Sequence, residues 1–243
     1  MSLGPTANIS GKPQDGLVSR FLNRPISRLI TRVLLRFPIT PSIWTMSIFP
    51  LLIVAFLFLI RGDYRGFVIG CAIFQIYSIL DGCDGEIARA KNLVSRWGER
   101  LDTLCDTTGN LLLVIGVGFG LRAQHPSSGW IYAVEGIFCA LLIAANETWL
   151  HKMKTDEESP QNEISAALYP RHRTMAQRSG LMVLGEKNVW WLVQLTKRDV
   201  AILFFLLLAI AGFPQWILHL SVLVTAITLS LSAIAMLRSR TRG

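Results

Sequence analysis

The chain contains few charged residues for its length. Only 16% of its 243 residues are Asp, Glu, Lys or Arg, whereas soluble domains average about 25%. Hydrophobic residues make up 51%, and the mean hydropathy is +0.44. This composition argues against an ordinary soluble enzyme and predicts an integral membrane protein.

Cysteine motifs and nucleic-acid-binding motifs are also missing. Cys71, Cys83, Cys105 and Cys139 all fall inside apolar stretches and form no C-x-x-C pair, so neither a disulfide framework nor a zinc site is predicted. The net charge of +8 comes without a nucleic-acid-binding motif, and we expect no nucleic-acid partner. No cleavable signal peptide is evident, because the first long apolar run lies beyond residue 40.

Long apolar runs predict an all-α membrane domain with six transmembrane helices. They cover approximately residues 42–60, 66–90, 100–121, 129–149, 199–213 and 215–237. The fifth is near the lower length limit for crossing about 30 Å of hydrocarbon. The apolar but interrupted segment 181–196 contains Glu186, Lys187, Trp190 and Trp191, which favour an interfacial helix over a seventh span.

The basic residues predict the orientation of these spans. With six crossings, only Arg61, Arg65 and Arg122 of the 24 Lys and Arg residues fall on one side. Since loops rich in Lys and Arg stay in the cytoplasm, we expect both termini and the 90–100 turn to be cytoplasmic. The protein is therefore predicted to be a multi-pass protein of a bacterial or archaeal cytoplasmic membrane.

The residues before the first span divide into two parts. Residues 1–13 are polar and are predicted to be a disordered, tag-like tail, and residues 39–243 form the membrane domain. Between them, residues 14–38 predict an amphipathic juxtamembrane helix on the cytoplasmic surface, because apolar residues alternate with an arginine at every fourth position. The alternative for this segment is an RNA-binding arm. The arginines are Arg20, Arg24, Arg28, Arg32 and Arg36.

Four aspartates lie inside the second and third predicted spans. Asp81 and Asp84 are three residues apart, and Asp102 and Asp106 are four apart, so each pair shares one helix face. Asp81 lies roughly 12 Å along its helix from Arg89, and Asp106 lies roughly 9 Å from the start of the next helix. The two pairs should therefore reach a similar depth in a helical hairpin, just below the cytoplasmic surface.

Such a cluster predicts a divalent-metal site. Four carboxylates cannot remain ionised together at membrane depth without cations, and oxygen ligands suit two Mg²⁺ or Mn²⁺ ions. Gly85 would let a ligand approach the backbone closely, and Arg89 could hold a phosphate. The alternatives are acids paired with arginines for structure, a transporter with an acidic pathway, or a non-catalytic lipid- or nucleotide-binding protein.

The spacing D-x2-D-G-x2-A-R-x8-G-x3-D-x3-D resembles the signature of the CDP-alcohol phosphotransferases. Its eight residues are Asp81, Asp84, Gly85, Ala88, Arg89, Gly98, Asp102 and Asp106. The resemblance implies an enzyme that transfers the alcohol-phosphate of a CDP-alcohol to the hydroxyl group of an acceptor and releases CMP. It also implies a homodimer.

The resemblance assigns a role to each signature residue. Asp81, Asp84 and Asp102 would bind the metals, while Asp106 would be the general base and could also contact metal. Gly85 and Ala88 would line the cytidine site, and Arg89 would contact the diphosphate or its surroundings. Gly98, small enough for close helix packing, is included with the residues that bind the CDP moiety.

A narrower similarity concerns the substrates. The stretch from Asp15 to Arg24 and the run from Leu80 to Arg89 resemble the di-myo-inositol-phosphate phosphate synthase branch, some of whose members carry a fused cytidylyltransferase domain. We expect the CDP-alcohol of this chain to come from another protein. Thr40-Pro41-Ser42 departs from the Thr-Pro-Asn that is frequent in the family.

The residues themselves do not identify the alcohol of the donor or the acceptor alcohol. The product could therefore be a phospholipid or a soluble osmolyte. A phosphorylated acceptor would require cations, and the basic residues of the cytoplasmic segments are candidates for binding it. These residues could equally contact lipid headgroups. The candidates are Lys152, Arg171, Arg173, Lys197 and Arg198.

Overall fold

The computed structural model describes residues 15–156, the single residues 185, 188, 191 and 194, and residues 197–240. These residues form helices and connecting turns and contain no strand. The predicted tail 1–13 and nearly all of the predicted interfacial helix 181–196 lie outside the described residues. A π-helical turn (Ser19–Asn23) comes first. The α-helices that follow are, in chain order, α1 (Arg24–Leu34), α2 (Pro41–Ile48), α3 (Pro50–Leu59), α4 (Tyr64–Ala90), α5 (Arg96–Gln124), α6 (Trp130–Asp156), α7 (Arg198–Ile210) and α8 (Gln215–Arg240).

Local sequence explains where the helices that carry the aspartates begin. The Asp63 carboxylate accepts a hydrogen bond from the backbone N–H of Gly66 at 3.2 Å at the start of α4. The Ser95 hydroxyl accepts one from the N–H of Gly98 at 3.1 Å at the start of α5. Both are N-caps, which satisfy N–H groups that a helix leaves unpaired at its first turn.

Four of the helical stretches in the described part of the chain are long and apolar enough to cross a membrane. They are Pro41–Leu59, Tyr64–Ala90, Arg96–Gln124 and Trp130–Thr148. The first comprises α2 and α3, which are separated at Phe49 because Pro50 has no N–H to donate. The fifth and sixth predicted spans correspond to helices α7, of 13 residues, and α8, whose apolar stretch Gln215–Leu231 is shorter than the other four.

Small residues allow the helices around the site to pack closely. A side chain at Gly118 would lie 2.7 Å from the carbonyl oxygen of Tyr132 and 3.1 Å from the Cα of Gly136, so α5 and α6 touch through their backbones. The apolar core between α3, α4 and α5 contains Leu52, Phe74 and other buried residues, with Ile202 of α7 packed into the same cluster. This packing fixes α4 and α5 side by side.

Helix α1 packs against α4 with its polar face. Asn23, just before α1, and Ser27 and Thr31 within it are buried, whereas Leu29 and Val33 on the opposite side are exposed. The arginine stripe does not lie on one surface, because Arg24 points toward α4 and bonds to it, while Arg32 is exposed. The exposed apolar side chains of α1 are therefore available to lipid, whereas Leu34 packs against Cys83 and Ile87 of α4.

Candidate active site

The site is formed by the hairpin of α4 and α5, which residues 91–95 connect. Asn92 adopts a left-handed conformation (φ 54°), which reverses the chain immediately after α4. The Lys91 ammonium donates to the carbonyl oxygens of Phe37 and Ile39, each at 2.8 Å, and ties this turn to the segment between α1 and α2. Asp81 consequently faces Asp102 and Asp106 across the hairpin.

Three of the four predicted metal ligands come together. Asp81, Asp102 and Asp106 each place one carboxylate oxygen so that all three oxygens lie within 4.8 Å of one another. The Oδ1 atom of Asp81 is buried and has no hydrogen-bond partner among the described residues. A set of carboxylate oxygens with a buried acceptor still open suits a hard divalent cation, so these residues fit the metal that the sequence predicts.

The fourth aspartate, Asp84, does not belong to this group of three. Its Oδ2 atom accepts a hydrogen bond from the Thr45 hydroxyl of α2 at 2.8 Å, and its Oδ1 atom accepts one from the N–H of Gly85 at 2.5 Å. Thr45 is buried, so this contact fixes the carboxylate toward α2. Nothing in the sequence pattern singled out Thr45, which lies on a different helix from Asp84.

A cavity of about 300 Å³ opens beside Asp84. Its walls come from α2, from the C-terminal part of α4, from the N-terminal part of α5, and from the turn between them. The lining includes the four residues predicted for the CDP moiety, namely Gly85, Ala88, Arg89 and Gly98, together with Asp84 and Asp102. Since Asp102 belongs both to this lining and to the group of three carboxylates, the cavity and the carboxylate cluster share one side chain.

Arg89 supplies positive charge to the cavity. Its Nε and Nη2 atoms are buried and have no hydrogen-bond partner among the described residues. A Cβ at Gly85 would lie 3.3 Å from Arg89 Nη1, so the guanidinium occupies the space that glycine leaves. Buried N–H donors beside a cavity can bind an anionic group such as a phosphate.

Arg198 brings a second guanidinium to the carboxylates from α7. Its Nη1 atom forms an ion pair with Asp106 Oδ2 and lies 3.9 Å from Asp81 Oδ2. The guanidinium carbon lies 5.9 Å from the centre of the Tyr77 ring, which it faces. The sequence selected Arg198 as an acceptor candidate on charge alone, and nothing in its local pattern indicated the contact with Asp106.

Two further polar residues around the site went unrecognised in the sequence. Tyr77 is fully buried and its hydroxyl lies 3.4 Å from Asp106 Oδ1. Its position four residues before Asp81 places both on one face of α4, and this spacing could have revealed it. Trp44 of α2 donates from its indole nitrogen to the Leu80 carbonyl oxygen at 2.9 Å, directly before the first aspartate.

The structure describes the other acceptor candidates only in part. Lys197 caps the start of α7 and is partly buried; burial lowers the pKa of its ammonium, although the charge of Asp199 acts in the opposite direction. Lys152 lies in α6, where the backbone alone is described. Arg171 and Arg173 lie outside the described residues.

The comparisons with known proteins agree with the signature. The family model described as CDP-alcohol phosphatidyltransferase matches residues 38–228. A chain of Rubrobacter xylanophilus named "Bifunctional IPC transferase and DIPP synthase" is 37% identical over 130 residues, which cover 54% of this chain and 28% of that one. A chain of the same name from Archaeoglobus fulgidus is 25% identical over 223 residues, covering 92% of this chain and 39% of that one.

This chain therefore spans well under half the length of these curated relatives. A solved structure of Mycobacterium tuberculosis phosphatidylinositol phosphate synthase in the apo form has a similar fold, with a TM-score of 0.51 and 16% sequence identity. The similarity covers 84% of this chain and 94% of that one. At this identity the structural likeness concerns the fold alone.

Proposed function

The chain belongs to the CDP-alcohol phosphatidyltransferase family, and we propose that it transfers the alcohol-phosphate of a CDP-alcohol to the hydroxyl group of a second alcohol and releases CMP. The observation that carries this proposal is the position of Asp102. It lies within 4.8 Å of the Asp81 and Asp106 oxygens and also lines the 300 Å³ cavity. A diphosphate lying in the cavity would thus place its outer phosphate beside the carboxylates.

The donor would occupy the cavity. Gly85, Ala88 and Gly98 leave room for the cytidine diphosphate part, since none of them has a side chain larger than a methyl group. Arg89 would donate from its unbonded Nε and Nη2 atoms to phosphate oxygens. The alcohol that is transferred would extend from the outer phosphate toward Asp106 and Arg198.

Asp106 would act as the general base. Its carboxylate would take the proton from the acceptor hydroxyl while the acceptor oxygen forms a bond to the outer phosphorus. The bond between that phosphorus and the bridging oxygen breaks at the same centre, and CMP leaves with the bonding electrons. Arg198 contacts Asp106 and could orient it or hold the negative charge of a phosphorylated acceptor.

Asp81, Asp102 and Asp106 would hold divalent cations, with Asp84, whose carboxylate accepts a hydrogen bond from Thr45, as the fourth ligand. We propose two ions, Mg²⁺ or Mn²⁺, because four carboxylates provide enough oxygen ligands and charge for two. When bound, the ions would neutralise the diphosphate and the departing CMP. Asp84 lines the cavity, where it could hold a second ion beside the diphosphate.

For the substrates, we propose CDP-inositol as donor and a phosphorylated inositol as acceptor. Support comes from the relatives named IPC transferase and DIPP synthase. Further support comes from the basic residues in the segments predicted to be cytoplasmic. Of the two acceptor-binding candidates whose side chains the structure describes, Arg198 forms an ion pair with Asp106. Lys197, Lys152, Arg171 and Arg173 remain further candidates for the acceptor phosphate.

In the membrane, we propose six crossings, with α7 and α8 joining the four long apolar stretches. Residues 14–38 would lie on the cytoplasmic surface, both termini and the site would face the cytoplasm, and residues 39–243 would form a homodimeric membrane domain. A reporter fused after Gly243 that was accessible only from outside would contradict this orientation. Chemical cross-linking in native membranes tests the homodimer.

A panel of CDP-alcohols and acceptors tests the reaction itself. Purified protein in detergent or vesicles is incubated with Mg²⁺, CDP-inositol or CDP-diacylglycerol, and candidate acceptors, and CMP is quantified. CMP release that requires both CDP-inositol and an inositol phosphate would support the proposal. Transport of ions across vesicles without CMP release from any pair would support a transporter instead, and tight CDP-alcohol binding without turnover would indicate a non-catalytic protein.

A further inference from the structure

Asp199, the second residue of α7, contacts the segment that precedes α1. Its carboxylate is 9% exposed, and its Oδ2 atom accepts a hydrogen bond from the backbone N–H of Ser19 at 2.6 Å. A Cβ built at Gly16 would collide with this carboxylate, so only glycine permits the approach. The first turn of α7, which carries Arg198, is thereby held by residues near the start of the described chain.

The same N-terminal segment is bound to α4 through Glu86. This carboxylate is 1% exposed and lies within the signature, directly after Gly85. Its Oε2 atom accepts a hydrogen bond from the Thr31 hydroxyl at 2.7 Å, and its Oε1 atom accepts one from the Ser27 hydroxyl at 2.8 Å. A buried carboxylate is costly unless donors surround it, and α1 supplies those donors.

Arg24 connects the two contacts. Its guanidinium donates to both carboxylate oxygens of Asp15 at 3.0 Å, to Glu86 Oε1 at 3.2 Å and to the Gly82 carbonyl oxygen at 3.1 Å. Burial acts to lower the pKa of Arg24, but the hydrogen bonds and charges of Asp15 and Glu86 outweigh it, and its pKa is raised. Residues 15–34, which we call the strap, are therefore joined to α7 at one end and to α4 at the other.

We propose that the strap is a positioning device for the reaction: Asp199 and Glu86 fix the first turn of α7 relative to α4, so that Arg198 faces Asp106 and Asp81. The proposal rests on the proposed function, in which Asp106 is the base. Asp199 touches neither the cavity nor the three carboxylates, so it is a positioning residue that acts through Arg198. Further along α7, apolar residues such as Ile202 pack into the core. The polar first turn of α7 is held instead by its contact with the strap.

A double-mutant cycle separates this role from simple stabilisation. Asp199→Ala should lower kcat about tenfold, since small displacements of a site residue reduce turnover strongly. Asp199→Asn retains an acceptor oxygen for Ser19 and should recover most of that loss. In an Arg198→Gln background, Asp199→Ala should change kcat less than about twofold, because its effect passes through Arg198. A full tenfold loss in that background would overturn the proposal.

Gly16→Ala disturbs the same contact from the opposite side without changing any residue of α7. It should reproduce the kcat loss of Asp199→Ala, and the combination of the two should be no worse than either alone. Glu86→Gln removes the negative charge that accepts the hydrogen bonds of Ser27 and Thr31 in α1. Its effect on kcat should also be non-additive with that of Asp199→Ala. Multiplicative losses in these pairs would contradict a shared device. Glu135→Gln, a matched substitution at a carboxylate that contacts His219, is the control and should retain wild-type kcat.

Binding of Mn²⁺, followed by electron paramagnetic resonance without nucleotide, gives a readout that does not require turnover. Arg198→Gln and Asp199→Ala should shift the Mn²⁺ dissociation constant in the same direction and by similar factors. A shift in Arg198→Gln but none in Asp199→Ala would refute the strap. If the wild-type protein releases no CMP from any CDP-alcohol, the proposed function fails, whereas matching Mn²⁺ shifts would still support the strap.

Discussion

Arg198 of α7 forms an ion pair with Asp106 of α5, the residue to which the signature assigns the proton transfer. The same guanidinium lies 3.9 Å from Asp81 and faces the Tyr77 ring. One positive charge thus stands where three carboxylates meet. A cation in this position can compete with a metal ion for the carboxylate oxygens and can also keep Asp106 oriented, and substitution of Arg198 distinguishes the two effects.

We predict that Arg198→Gln binds Mn²⁺ several-fold more tightly than wild type and has a kcat about tenfold lower. Tighter binding follows because a competing positive charge is removed from the carboxylates. Lower turnover follows because Asp106 loses a hydrogen-bonded partner that orients it. Metal titration and steady-state CMP release measure the two quantities separately. Arg65→Gln, which changes an exposed arginine in the first turn of α4, is the control. Weaker Mn²⁺ binding in Arg198→Gln would contradict a competition between the guanidinium and the metal ion for the carboxylates.

Asp106→Asn should lower kcat by between about 10² and 10⁴-fold, because an amide cannot accept the proton of the acceptor hydroxyl. The melting temperature should change little, since the amide can keep the contact with Tyr77. Tyr77→Phe removes only a long hydroxyl contact of 3.4 Å and should cost no more than about threefold. Near-normal turnover of Asp106→Asn would exclude it as the base.

Thr45→Val replaces the hydroxyl that donates to Asp84 with a methyl group of similar size. We expect kcat/KM to fall about tenfold, since a hydrogen bond to a charged group is worth roughly 1.5–3 kcal/mol. Ser47→Ala on the same helix is the matched control, because the Ser47 hydroxyl is exposed and bonds only within its own helix, to the Ile43 carbonyl oxygen. Equal losses in both variants would indicate a general effect on α2 rather than one on Asp84.

Alanine at two glycines should separate binding from stability. At Gly85 the added methyl group would meet Arg89 Nη1 at 3.3 Å beside the cavity, so KM for the CDP-alcohol should rise while the melting temperature stays close to wild type. At Gly120 it would strike the Leu59 carbonyl oxygen, so the melting temperature should fall by an amount corresponding to about 1–3 kcal/mol. Unchanged KM in Gly85→Ala would argue against a ligand close to that backbone.

Removal of divalent ions with excess EDTA should abolish CMP release, and added Mg²⁺ or Mn²⁺ should restore it. The expectation follows from three carboxylate oxygens within 4.8 Å of one another, whose mutual repulsion a bound cation would relieve. The melting temperature measured with and without Mg²⁺ provides a second readout, because a ligand that binds the folded state stabilises it. Full activity in excess EDTA would overturn the metal assignment.

Much of the fold could be predicted from short-range patterns. Apolar runs predicted the positions of α2 through α8 to within a few residues, apart from the end of α6, which extends to Asp156 beyond the predicted 149. This works because length and hydropathy decide which segments can be buried in lipid. Four of the six predicted spans are found by length and composition in the described residues. The fifth was predicted short, and α7 is indeed only 13 residues long.

The aspartate cluster was also largely predictable. The spacings of three and four residues place each pair on one helix face, and the hairpin connection places the two pairs at equal depth, so local geometry suffices to bring Asp81, Asp102 and Asp106 together. The hydrogen bond between Asp84 and Thr45 was not predictable in this way. It depends on how α2 packs against α4, and the residue spacing within either helix does not predict that packing.

Hydropathy and helical spacing were enough to predict the class of protein, the helices and the candidate site residues, because both act within single elements or between neighbours in the chain. The contacts that support those residues depend instead on the packing of distant segments. Arg198 meets Asp106, and Glu86 receives its donors from α1, across long separations in sequence. Such contacts depend on how the helices pack. The donors to Glu86 lie on a polar face of α1 that is turned toward α4, whereas the arginines and apolar residues of α1 had predicted only a helix on the membrane surface.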